Sequence, residues 1–310
     1  MNAGPAGDYA NGLFTTVTIC ASGTSNCQAI SGVLVDTMSY GVRILSSAMT
    51  STLSSALSQE KDANGSSVSE CAQFSDSITW GPVKTADVKM ASEVATAIPI
   101  QVIGDPAFST VPAGCSSAGA PEDTLQKLGA NGILGIGPFV QDCPECAPGT
   151  TNNQNFYYAC AGSTCRVTTV SGSLIFGIGT QSNNSLGSAR VFTINTSTGN
   201  ISTDFKAKTY SSFLDTGSNA YFFLDSATTV MPTCSSPEDG FYCPTARVAF
   251  SATNTGTNKA SSPMSFNIDN ADTLFTSSTN NVFPTLGGPN PGTFDWGLPF
   301  FYGRHVFVAI

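Results

Sequence analysis

The 310-residue chain is long enough to bury a large core and to form two domains of ordinary size. Its net charge of −9, from 12 Lys and Arg against 21 Asp and Glu, argues against nucleic-acid or anionic-membrane partners, which need a basic surface. Only 11% of residues are charged, yet 41% are hydrophobic, so the low charge belongs to a folded protein with a Ser-, Thr-, Asn- and Gly-rich surface and not to a disordered one.

Short β-branched or aromatic runs, punctuated by Gly, Asn, Ser and Pro, predict strands in chain order. They fall at 13–19, 30–35, 86–90, 98–103, 173–178, 189–194, 212–223, 246–251 and 306–310. Helix signals are few. Leu45, Ala48, Met49, Leu53, Ala56 and Leu57 recur at spacings of three and four, predicting one helix over 44–59, and a short turn is expected around 123–128. The fold class is mainly β.

Ten cysteines, an even number, point to an oxidising compartment. Cys20 with Cys27, Cys160 with Cys165, and Cys234 with Cys243 each bracket a small polar loop, so local disulfides are expected there. The pairing of Cys71, Cys115, Cys143 and Cys146 stays open; Cys143-Pro144-Glu145-Cys146 reads as a disulfide-rich loop, since no histidine or helical context makes it a zinc or redox motif. Met1–Pro5 has neither a basic nor an apolar targeting region. With the cysteines, this predicts an exported protein (secreted, periplasmic or cell-surface) whose targeting segment is not shown, with no membrane span.

One phrase occurs twice. Val33-Leu34-Val35-Asp36-Thr37-Met38-Ser39 and Ser212-Phe213-Leu214-Asp215-Thr216-Gly217-Ser218 each run from apolar residues into Asp-Thr-x-Ser. A fainter echo follows each: Gly132–Gly137 (GILGIG) after the first and Phe294–Phe300 (FDWGLPF) after the second. Glycine in such a run fits a backbone threading close beside a loop. A single aspartate after a strand is most often a turn residue. Two copies with matched lead-ins point to duplicated lobes and paired carboxylates. The single histidine, His305, reads as an ordinary strand residue, and neither a Ser-His-Asp pattern nor a phosphate-binding glycine loop is present.

These segments resemble the pepsin-type aspartic peptidases over nearly the full length. Val33–Ser39 is similar to the first active-site loop, and Gly132–Pro138 to the segment crossing behind it. Gly172–Gly177 with Gly187–Ala189 resembles the start of the second lobe, Phe213–Ser218 the second active-site loop, and Trp296–Phe301 the closing segment. Within this resemblance the chain is most similar to a bacterial branch of exported pepsin-like proteins described only as a domain of unknown function. It departs from the pattern at Met38, which replaces a loop glycine, and at Leu298, where pepsins usually carry aspartate. The stretch 139–169 is loop-like with four cysteines, where the family has a helix and a strand.

The resemblance implies a bilobal β fold, with an N-terminal lobe at 1–170 carrying Asp36 and a C-terminal lobe at 171–310 carrying Asp215. Asp36 and Asp215 would share one proton and activate a water for peptide hydrolysis; pepsin is a standard example of such a pair. Thr37 and Thr216 would cross-link the loops, Ser39 and Ser218 would bond the outer carboxylate oxygens, and Gly217 would leave room for substrate. Phe74 is the candidate flap aromatic, with Trp80 an equal alternative. The expected activity is that of a monomeric exported endopeptidase, without metal or cofactor, cutting extended peptides or unfolded protein at acid pH. The alternative is a pepsin-fold binding or structural protein in which Met38 has impaired catalysis.

Overall fold

A computed structural model describes residues 3–139, 155–161, 164–168, 185–276 and 281–308. Their β-branched and aromatic runs pair into two barrel-like sheets joined by short helices, none longer than six residues.

The first sheet contains β1 (Phe14–Ala21), β2 (Cys27–Asp36), β3 (Tyr40–Leu45), β4 (Ser58–Gln59), β5 (Ser67–Gln73), β6 (Ser77–Met90), β7 (Glu93–Ile103), β8 (Ala120–Pro121), β9 (Gly132–Ile136), β10 (Asn155–Ala161) and β11 (Thr164–Thr168). Its order is β1-β2-β9-β3-β7-β6-β5-β10-β11, and a further β1–β6 ladder curls it round. The second sheet contains β12 (Ile201–Phe205), β13 (Lys208–Leu214), β14 (Tyr221–Leu224), β15 (Val248–Thr255), β16 (Ser261–Ile268), β17 (Gly287–Gly288) and β18 (Asn290–Trp296). Its order is β16-β15-β12-β13-β18-β14-β17.

The two sheets repeat one arrangement. In the first, β9 lies parallel to β2 and antiparallel to β3, between the strands flanking Thr37–Ser39. In the second, β18 lies parallel to β13 and antiparallel to β14, between the strands flanking Asp215–Ala220. The glycines of the faint echo are steric requirements of this threading. A Cβ on Gly135 would lie 2.4 Å from Tyr40 N, and one on Gly297 2.0 Å from Ala220 O.

Each sheet encloses its own core. The first is aliphatic, built from Val17, Ile19, Val33, Ile44, Ile100 and Val102. The second is aromatic: Phe223 stacks on Phe294 at 5.2 Å and Phe266 meets Trp296 edge-on at 5.2 Å. Such pairs add about 0.5–1.5 kcal/mol each beyond area burial. Asn11 fastens the segment before β1 to the second half. Its amide donates to Asn219 O at 2.7 Å and Phe283 O at 3.0 Å, and its Oδ1 accepts from Phe283 N at 2.6 Å and Tyr302 OH at 2.7 Å.

Disulfides form at Cys20–Cys27 and Cys234–Cys243, as their spacing predicts, and Cys71 pairs with Cys115, which the spacing left open. The last ties β5 to the helical turn Ala113–Ser116. Three disulfides accord with an extracellular protein. Backbone register sets Cys160 opposite Cys165, while Cys143 and Cys146 lie outside the described residues. Among the described residues no helix is long and apolar enough to cross a membrane.

Several expected elements differ. The helix over 44–59 shrinks to Ser51–Ala56, because Ile44 and Leu45 complete β3 and Ser58 and Gln59 pair with β6. Sheet pairing overrides the helical spacing in this serine-rich stretch. No strand forms over 189–194. There Asn258 donates to Val191 O at 2.9 Å and Thr257 N to Thr193 O at 2.8 Å, so turn residues satisfy the segment in place of a ladder. Residues 306–308 are likewise not a strand, and His305 is exposed coil. The loop expected over 139–169 contains the β10–β11 hairpin, which extends the sheet from β5. The strand expected at 173–178 lies outside the described residues.

A polar network crosses the first barrel. Arg43 Nη2 donates to Glu70 Oε1 at 2.6 Å, both side chains being at most 5% exposed, and Gln101 joins Glu70 O to Thr79 Oγ1. Removing one member of a buried ion pair leaves the other charge uncompensated. Glu70→Leu is therefore expected to cost about 3–5 kcal/mol, read from the urea midpoint. A loss under about 1 kcal/mol, the range of exposed pairs, would show that Arg43 finds other compensation.

Candidate functional site

Asp36 ends β2 and Asp215 follows β13, so each parallel strand pair delivers one aspartate to the junction between the sheets. Four hydrogen bonds join the two loops reciprocally. Thr37 N donates to Thr216 Oγ1 at 3.1 Å and Thr216 N to Thr37 Oγ1 at 3.0 Å. Thr37 Oγ1 donates to Leu214 O at 2.8 Å, and Thr216 Oγ1 to Val35 O at 2.6 Å. Each threonine thus grips the strand that carries the other aspartate. The crossing strands brace both loops from behind, with Gly137 N donating to Ser39 O and Leu298 N to Ser218 O, each at 2.8 Å.

The carboxyls consequently meet. Asp36 is 7% exposed, Asp215 keeps more of its surface open, and the two lie within hydrogen-bond reach. Burial, followed by the neighbouring Asp36 and Asp295 carboxylates, holds Asp215 well above the usual carboxylate range, with a bond from Gly217 N opposing. Gly217 packs against both acids: a Cβ there would lie 2.8 Å from Asp36 Cγ and 3.1 Å from Asp215 Oδ1.

The loops match at the backbone. Met38 N donates to Asp36 Oδ1 at 2.8 Å, and Gly217 N to Asp215 Oδ1 at 2.7 Å. Met38 does so without a left-handed φ, so glycine's backbone freedom is not required at that position. The hydroxyls do not match. Ser218 Oγ bonds Asp215 Oδ2 at 3.1 Å, whereas Ser39 Oγ is buried without a hydrogen-bond partner, so the bond expected from it to Asp36 is absent.

Phe74 begins the tip of the β5–β6 hairpin, where its N donates to Ser77 O at 2.9 Å. Its ring packs on the cluster of Leu34, Leu45 and Leu128 that also takes up Tyr9. Trp80 lies elsewhere, against Tyr158 and the Cys71–Cys115 bridge, with its indole donating to Phe108 O at 2.8 Å.

Three groups were not singled out from the sequence. Asp295, in β18, is 6% exposed and bonded to Ser218. An aspartate between Phe294 and Trp296, inside a run otherwise apolar, was the available signal. Tyr9 is held far above the usual phenol range by burial and by Asp36, Glu122 and Asp215, which places it in the field of the paired acids. Glu122, beside the hairpin tip, is pushed up to about 7 by burial and then by Asp76. Nothing distinctive in the sequence marks Tyr9 or Glu122.

A cavity of about 600 Å³ flanks the second loop through Asn219 and is lined by Tyr9, Leu128, Phe241, Phe275 and Phe283. Neither Asp36 nor Asp215 lines it. Among the described residues the one cluster with metal-ligand geometry is Cys234, Cys243 and Asp272, and its two sulfurs are consumed in a disulfide.

No curated protein matches the chain. A family model described as "Protein of unknown function (DUF3443)" matches residues 1–171 and again 167–310. The chain belongs to the DUF3443 family.

Proposed function

We propose that the protein is an exported aspartic endopeptidase of pepsin-like, bilobal fold, with lobes at 1–170 and 171–310 and Asp36 and Asp215 as its catalytic pair. The observation that carries this reading is the meeting of the two carboxyls over Gly217, held by the reciprocal Thr37 and Thr216 bonds.

Two carboxyls in contact do not both ionise readily, so the pair shares one proton, with Asp215 favoured to hold it. The ionised member takes a proton from a water as its oxygen attacks the peptide carbonyl carbon. The protonated member hydrogen-bonds the carbonyl oxygen and passes its proton there. The tetrahedral adduct then collapses as the amine nitrogen is protonated and the C–N bond breaks. The flanking cavity, where aromatic rings stand beside Asp8, Lys127 and Asn219, offers room for the side chains of an extended peptide, and Phe74 on its hairpin is the candidate flap.

Asp215→Asn is expected to reduce cleavage of a denatured protein between about pH 3 and pH 5 by on the order of 10³-fold. Its stability should change in the opposite sense. A carboxyl whose folded pKa is raised loses stability as pH climbs above the unfolded value near 4. The variant should therefore melt above the parent at neutral pH, with the gap closing toward about pH 4. A parent protein that cleaves nothing at high concentration sinks the proposal.

Gly217→Ala probes space alone, because the residue's φ is ordinary. Its methyl must displace the Asp36 carboxyl, and a shift of about 1 Å costs about 10²-fold in rate. A fully active, folded alanine variant would show that the contact does not set catalytic geometry.

The second reading, a binding protein in which catalysis has lapsed, is favoured by the Met38 side chain and the unbonded Ser39 hydroxyl beside Asp36. Met38→Gly separates the two. Because Met38 already makes the amide bond to Asp36, the peptidase reading expects activity within about threefold of the parent, a change under about 1 kcal/mol. Hydrolysis that appears only in the glycine variant establishes the second reading.

A further inference from the structure

We propose that Asp295 is a third acid of this site, a positioning residue that stores a proton and exchanges it with Asp215 through the Ser218 hydroxyl. The role in catalysis rests on the reading of Asp36 and Asp215 as a catalytic pair.

Hydrogen counting carries the inference. Ser218 Oγ lies 3.1 Å from Asp215 Oδ2 and 2.5 Å from Asp295 Oδ2. A hydroxyl has one proton, whereas an ionised carboxylate only accepts. Were both acids ionised, one of these two contacts would bring oxygen against oxygen with no hydrogen between. Both are satisfied when one carboxyl is protonated and donates to Ser218 Oγ, while Ser218 donates to the other. Two such arrangements exist. They interconvert when the Asp295 proton passes to Oγ as the Oγ proton passes to Asp215 Oδ2; two O–H bonds break, two form, and the net charge is unchanged.

The surroundings favour Asp295 as the member that keeps the proton. It is 6% exposed, its Oδ1 is buried without a hydrogen-bond partner, and its Oδ2 bonds the Ser218 hydroxyl. An ionised carboxylate buried with so few donors is costly, and a neutral acid much less so. The neighbouring strands set Phe213 and Phe222 at its register positions, neither of them charged. Among the described residues the titratable groups that face it are Asp36 and Asp215, both acids. Burial pushes Asp295 up to about 8, with Asp36 adding to the rise and the Ser218 bond opposing it.

A proton held beside Asp215 resupplies the pair as pH rises. Once Asp295 does ionise, its negative charge makes the pair's own proton harder to remove. Both effects carry the alkaline limb of activity toward neutrality. Asp295→Asn keeps a donor for Ser218 Oγ and removes the exchangeable proton. Ser218→Ala keeps the acid and breaks the path.

The test has two arms. Carboxyl-carbon NMR titration of aspartate-labelled protein reads protonation whether or not anything is hydrolysed. The proposal expects one aspartate beyond the pair to titrate above about pH 6 and its signal to be absent in Asp295→Asn. If the signal lost in Asp295→Asn instead titrates in the ordinary range near 4, the proposal is overturned. The activity arm follows kcat against pH, where both variants should move the alkaline limb to lower pH by about one unit or more, a tenfold change per unit. Hydrolysis with the same limb in parent and both variants overturns the relay and leaves the catalytic pair intact. A parent that hydrolyses nothing, yet shows the Asp295 proton by NMR, ends the peptidase reading and leaves the stored proton standing.

Discussion

The reciprocal Thr37 and Thr216 hydrogen bonds are the constraint on which the rest of the site depends. Each hydroxyl donates to a carbonyl of the strand leading into the opposite loop and accepts an amide from the opposite threonine, so neither loop can shift without breaking bonds in both directions. Two carboxyls left to electrostatics would separate. Here their positions follow from strands whose registers are fixed on both sides, β2 against β9 and β13 against β18. The glycines in the crossing strands serve the same end, since side chains at Gly135 or Gly297 would force those strands off the loops they brace.

Burying like-charged groups opposes folding, and the molecule sets several stabilising features against that cost. Asp36, Asp215 and Asp295 lie together, and Asp215 and Asp295 are held above the usual carboxylate range. Opposing them are the cores of the two sheets, the aromatic one stacking Phe294 between Phe223 and Trp296. Trp296 adds a polar anchor by donating its indole N–H to Thr203 Oγ1 at 3.1 Å, and Thr203 also bonds Ser212 and Asn254. Such buried networks specify one arrangement when every member is satisfied. Asp295 sits between two residues of this cluster, Phe294 and Trp296.

Much of the site was legible because its signals are local and repeated. The Asp-Thr-x-Ser phrase needs only short-range pattern, and its duplication implied two strand ends that the sheets do supply. The β-branched runs that form β1 and β2 were legible for the same reason, whereas β12 was not expected although its burial alternates. The misses have a different character. Residues 44–59 carry helical spacing, yet long-range pairing to β7, β9 and β6 claims both ends. Residues 189–194 look like a strand, but no partner strand among the described residues pairs with them and the 256–261 turn takes up their backbone groups. The β10–β11 hairpin was hidden in a cysteine-rich stretch, although the Cys160–Cys165 spacing already marked its tip. In the first two cases the deciding contact is remote in sequence.

Asp295 shows the limit most clearly. Attention at the closing segment falls on Leu298, where the pepsin-like pattern carries an aspartate, and the substitution suggests a lost acid. The acid is instead three residues earlier. Leu298 retains the main-chain bond to Ser218 O, while Asp295 reaches the Ser218 side chain from within the strand. Its carboxyl is thereby placed out of solvent, against a serine hydroxyl that also touches Asp215. Residue type at one aligned position is a poor guide to such a site, because the electrostatics depend on which carboxyl oxygens share a hydroxyl. An aspartate flanked by buried aromatics on both sides is costly unless a partner awaits it, and that cost is the sequence-level signal that would have pointed to Ser218.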